Sequence, residues 1–96
     1  MGFLSPTIIS SSQSLDPGFD IDFIDASGGN LTITLPDIGN ADGQYFILVR
    51  TDQTVNTVTV QGFNSSQTIN GSVSNTIDAN SGAFNVVSLN NVWIQY

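Results

Sequence analysis

The side chains with the most chemistry in this chain are aspartates. Asp16, Asp20, Asp22 and Asp25 crowd into one short stretch, and Asp37 and Asp42 flank Asn40 in another. Clustered carboxylates suit two kinds of work. They bind a hard cation such as Ca²⁺, which takes six or more oxygen ligands, or they form an acid and base pair with one carboxyl held in a cleft at a raised pKa. Neither pattern is complete. An EF-hand loop wants a glycine and a distal glutamate in register, and the chain has no glutamate. Nothing in the sequence marks a cleft. Asp20 and Asp22 are therefore expected on the solvent face of a strand, protecting an edge from aggregation or meeting a basic surface, with Ca²⁺ at Asp16, Asp20, Asp22 and Asp25 left as an alternative. Asp37, Asn40 and Asp42 read as loop chemistry, because these side chains bond nearby backbone and Asp42-Gly43 is a turn pair. No cofactor is expected.

The rest of the catalytic set is nearly empty. There is no histidine, no cysteine, and a single basic residue, Arg50. With the usual acids, bases and nucleophiles missing, the sequence predicts a protein that is not an enzyme. Arg50 is expected to pair with an aspartate across a subunit boundary, where one bidentate contact fixes register. Trp93, Tyr45 and Tyr96 have faces on which a sugar ring stacks, and Phe63 belongs to a loop, so a glycan-binding module is the rival reading.

Composition narrows the partners. A formal charge of −7 lacks the basic stripe that a nucleic-acid binder needs to release counterions, so no nucleic acid is expected. No run approaches the roughly 18 apolar residues of a membrane span, and Met1 to Pro6 lacks the basic start and long apolar stretch of a signal peptide. The sequence predicts synthesis in a host cytoplasm and no membrane partner. Charged residues are only 9% of the chain, so solubility rests on Ser, Thr, Asn and Gln, as in extracellular and virion β-proteins. A single domain of 96 residues buries about two thirds of the surface its unfolded chain exposes, a modest core that oligomerisation would help.

The positioning elements are strands. Residues 1–18 hold one apolar patch, Phe3, Leu4, Ile8 and Ile9, ahead of the polar run Ser10 to Ser14, and predict an extended arm whose apolar residues plug into a partner. Phe19 to Phe23 alternates strictly, as do Leu31 to Leu35 and Thr57 to Gln61, the period-two signature of half-buried strands. Ser27-Gly28-Gly29-Asn30 is a turn, and Pro36 closes the 31–35 strand. Tyr45 to Val49 is apolar on both faces and must be covered twice. Asn70-Gly71 is a type I′ hairpin signal. A two-residue turn at Asn90-Asn91 sets Leu89 opposite Val92, Val87 opposite Ile94 and Ser88 opposite Trp93. Val87, Leu89, Val92 and Ile94 are then expected to face the core, leaving Phe84, Val86 and Trp93 on a face too apolar for water. No capped helical period appears.

From Leu31 onward the order of elements resembles a module of bacteriophage and large-virus exterior proteins, of the tail-fibre and spike-like kind. The residues that carry the likeness are Ile33-Thr34-Leu35-Pro36, Ala41 to Ile47, Asn56 to Val60, Gln67 to Gly71, Val86 to Leu89, and Trp93-Ile94. The resemblance implies a compact β-fold that works as a homotrimer on a virion surface. Without a long shaft or separate head, the chain looks more like a capsid decoration or cement protein, with a small spike or tail-fibre module binding a host receptor or surface glycan as the alternative.

Together these readings predict a single antiparallel β-sandwich or jelly-roll-like domain over 19–96 with the arm over 1–18. The arm would meet the major capsid protein or another virion protein through Phe3, Leu4, Ile8 and Ile9. Tyr45, Phe46, Leu48, Arg50, Phe84, Val86 and Trp93 would build the subunit seam.

Overall fold

The computed structural model describes residues 7–39, 42–80 and 82–96. Among these the protein is all β, with nine strands and no helix: β1 (Thr7–Ile9), β2 (Gln13–Ser14), β3 (Phe19–Ile24), β4 (Leu31–Thr34), β5 (Tyr45–Arg50), β6 (Val58–Gln61), β7 (Ser74–Thr76), β8 (Ala83–Leu89) and β9 (Val92–Gln95). The strands make two sheets, a first in the order β1-β3-β5-β8-β9 and a second in the order β2-β4-β6-β7.

The chain alternates between these layers as it advances. β1, β3 and β5 run parallel in the first sheet, while β2, β4 and β6 run parallel in the second. Parallel neighbours need a crossover connection, and here the crossover is a strand of the opposite sheet instead of a helix. The result is a winding like a flattened solenoid. Phe19 pairs with Tyr45 and Leu31 with Val58, so in the second coil the two sheets advance by nearly the same length of chain. After β6 the winding ends: β7 lies antiparallel on β6, β8 antiparallel on β5, and β9 closes a hairpin on β8.

Both sheets are therefore mixed, which corrects the expected antiparallel arrangement. Alternation within a strand says nothing about the direction of its neighbour, and the short polar connection at Ser27 to Asn30 carries the chain across to the other layer rather than back along the same one. The expected arm also changes. Phe3 and Leu4 lie outside the described residues, but 7–18 is built into the fold, since β1 pairs with β3, β2 with β4, and Ile9 and Leu15 join the core. Ile8 points the other way and is exposed. The packed domain thus begins before residue 19.

One hydrophobic cluster joins the two sheets, with Ile24, Leu48, Val86 and Trp93 from the first and Ile33, Val58 and Val60 from the second, all fully buried. Trp93 tilts against Phe46 with ring centroids 5.8 Å apart. The turn chemistry follows the sequence. Asn70 and Gly71 both take positive φ and bring Ile69 and Ser72 into a reciprocal backbone pair at 2.7 and 2.9 Å. Asn90 and Asn91 do the same between β8 and β9, and the pairs Leu89–Val92, Ser88–Trp93 and Val87–Ile94 form as expected.

Candidate interaction surface and acidic cavity

All but Tyr45 of the expected seam residues are buried. Phe46, Leu48, Phe84, Val86 and Trp93 point inward between the two sheets, and Trp93 is 0% exposed, so they belong to the protomer's own core and cannot meet a partner. Burial also withdraws Trp93 from sugar stacking. The hairpin register was legible while its faces are reversed: Val87, Leu89, Val92 and Ile94 are the outward set. The same reversal holds in β3. Phe19 is 72% exposed and Ile21 is exposed, whereas Asp22, expected in water, is 1% exposed.

The outer face of the first sheet is consequently apolar from edge to edge apart from Asn85. Cross-strand register lays it out in rows: Phe19, Tyr45, Val87 and Ile94; Ile21, Ile47 and Asn85; Ile8, Phe23, Val49 and Ala83; Leu89 and Val92. Phe19 stacks on Tyr45 at 5.3 Å with rings 14° from parallel. Tyr45, Val87 and Tyr96 line a shallow depression beside them. None of these positions carries a charge, and Asp25 stands at the margin with Ile8, Phe23 and Thr51. A contiguous exposed patch of this composition is the mark of an interaction surface. Of the predicted seam, Tyr45 alone lies on it.

Arg50 ends β5 on the inner face and is held within its own chain. Nε and Nη2 donate to the two Asp52 carboxylate oxygens at 3.0 Å each, Nη1 donates to the Ile77 carbonyl at 2.7 Å, and Nη2 also reaches the carbonyls of Asn56 at 2.6 Å and Thr54 at 3.2 Å. The pair is almost wholly buried. Its guanidinium, aided by the Thr54 hydroxyl and the backbone amides of Ala26 and Thr54, holds the Asp52 carboxyl well below the usual carboxylate range despite burial. This corrects the expected intersubunit contact: Arg50 ties the β5–β6 connection to the residue after β7.

The four clustered aspartates separate. Asp20 and Asp22 share the inner face of β3 and, with Asp16, line a cavity of about 330 Å³ bounded by Thr7, Gln13, Ser14, Leu15 and Phe46. Asp25 is outside it, accepting from the Ser27 amide in a local turn. The Oδ2 of Asp22 has no hydrogen-bond partner. Desolvation first, then the charge and hydrogen bonding of Asp20, push the Asp22 carboxyl up to about 6. The second loop behaves as turn chemistry: Asp37 accepts from the Gly39 amide at 3.0 Å and from Gln67 at 2.7 Å, which lowers its pKa, and Asp42 accepts from the Asn90 amide.

Sequence reasoning missed Phe19, Ile21 and Leu89 as surface residues, whereas Ile8, expected to reach a partner, is exposed. The available signal was the aspartates of β3, because a strand that alternates large apolar and acidic residues offers two faces and only one was weighed as core. Compared with known proteins, the chain matches no family model, no curated protein and no solved structure.

Proposed function

We propose that this protein is a non-enzymatic structural module that assembles with copies of itself through the outer face of its first sheet, and that the assembly is a homotrimer on a virion exterior serving as a capsid decoration or cement protein. The observation that carries the self-assembly reading is the uncharged apolar face built on Phe19, Ile21, Tyr45, Val87 and Ile94. Two copies of a strongly acidic chain repel one another, yet the rows of this face carry no carboxylate and Asp25 stands only at its margin, so copies meet there without burying charge at the centre. Covering a side chain as exposed as Phe19 or Ile8 contributes up to about 1.5–3 kcal/mol. The virion setting rests on the resemblance of residues 31–96 to phage and large-virus exterior modules, and the two-layer β architecture suits it.

A small spike or tail-fibre module that binds a host glycan is the second reading, supported by the Phe19–Tyr45 stack and the nearby Tyr96, which present aromatic faces to solvent.

Light scattering and native mass spectrometry of the whole protein test assembly. The expected result is a trimer that Ile21→Lys converts to a folded monomer. A wild type that stays monomeric at every concentration would overturn the self-assembly reading, and binding to a glycan array by that monomer would put the second reading in its place. Binding of the trimer to stripped capsids then separates decoration from other exterior roles.

A further inference from the structure

We propose that the cavity between β2 and the first half of β3 binds a hard divalent cation of the Ca²⁺ class, held by the carboxylates of Asp20 and Asp22. Three observations converge on it. The cavity is lined by oxygen-bearing side chains, with Thr7, Gln13, Ser14 and Asp16 around the Asp20 and Asp22 pair. Asp22 is 1% exposed and its Oδ2 has no partner, so a buried carboxylate oxygen is left without any donor. And the chain has no side-chain cation to spare: its single basic residue, Arg50, is committed to Asp52 and three carbonyls at the other end of the sheet.

A buried carboxylate beside a second carboxylate cannot remain ionised uncompensated. With no side-chain cation within reach among the described residues, the charge is relieved either by taking up a proton or by a cation from outside the chain. Oxygen ligands alone select a hard cation over a soft one. No group of three or more His, Cys, Asp or Glu side chains is arranged around a metal position among the described residues, so the two carboxylates are the charged ligands and uncharged oxygens and water complete the shell, as a hard divalent cation accepts. The site joins β2 of the second sheet to β3 of the first, so an ion there would clamp the first coil shut.

Isothermal titration calorimetry of the whole, chelator-stripped protein with CaCl₂, at a pH well above the carboxylate range, tests the site alongside thermal melts. Saturable binding and a rise in Tm are expected. Asp22→Asn should weaken Ca²⁺ binding about tenfold or more and Asp20→Asn severalfold, while Asp25→Asn, outside the cavity, should bind as wild type does. Circular dichroism checks that each variant is folded, and Asp22→Asn removes a buried uncompensated charge, so it should fold at least as well. Absence of saturable Ca²⁺ binding to wild type would overturn the proposal, as would Ca²⁺ binding that survives Asp22→Asn unchanged or falls as far with Asp25→Asn.

Discussion

The two sheets obey opposite rules. In the second, Ile33, Val58 and Val60 go inward while Thr32, Thr34, Thr59 and Gln61 stand on the outside, the ordinary division for a sheet with one face in water. In the first, apolar side chains occupy both faces, and of the polar ones on β3, β5 and β8, Asp22, Arg50 and Ser88 are buried inside while Asp20 is exposed and Asn85 lies on the outer face. A sheet that turns its oil outward and its charge inward is built for company on both sides. The second sheet needs only its partner layer; the first leaves a further apolar surface in water, and the proposed self-assembly rests on that difference.

Trp93→Ala bears hardest on the comparison. If the inner face of the first sheet is core, truncating the fully buried indole should cost the protomer about 3–5 kcal/mol in a denaturant titration. A loss of trimer with protomer stability intact would instead return Trp93 to a subunit seam and break the contrast between the sheets.

The inward charge gives a pH signature that the second sheet lacks. Asp22 titrates near 6 in the folded chain against an ordinary carboxyl value near 4 in the unfolded one, so the folded state binds the extra proton. The Asp22 contribution is therefore fully present below about pH 4 and is lost as pH rises through about 6, whereas Asp52 and Asp37, whose pKa values are lowered, lose their contributions on acidification. The charged groups facing Asp22 are Asp20 on the same strand and Asp16 in the preceding connection. Melts in chelator across this window should show the decline in wild type and lose most of it in Asp22→Asn; a flat wild-type profile would mean that Asp22 is solvated.

The smallest effect is expected on the other layer. Thr59→Lys, on the outer face of the second sheet, should leave oligomer mass unchanged and alter stability by no more than about 0.5 kcal/mol. Should it dissociate the assembly as Ile21→Lys does, the second sheet would be part of the interface and the asymmetry would disappear.

Much of this was legible. Period-two alternation located the strands at 19–23, 31–35 and 57–61, an unbroken apolar run located that at 45–49, and the two asparagine-rich turns gave register, because positive φ at consecutive residues leaves little choice of turn type. Leu31, Ile33 and Leu35 were placed inside and are inside. What failed was the choice of face where both were plausible. Phe19-Asp20-Ile21-Asp22-Phe23 shows the difficulty: alternation is symmetric, and assigning the apolar set to the core presumes that the other face sees water. The layer crossings were hidden for a different reason, since pairing partners such as Phe19 and Tyr45 are distant in sequence and no local pattern encodes them. The acidic cavity was half visible; the spacing brought the aspartates together, but only the fold separates Asp20 and Asp22 from Asp25.

Arg50, finally, makes the molecule its own unfolding reporter. It is the only residue in the chain after which trypsin can cut. Its side chain is fully engaged in hydrogen bonds, and the following amide, Thr51, is bonded to the Ile24 carbonyl at 2.8 Å. The protease therefore finds no site until β3 and β5 part, and where reclosing is fast its rate of cutting tracks how often they do. A single scission into two defined fragments would read out the opening of the first sheet directly, with no label and no engineered residue.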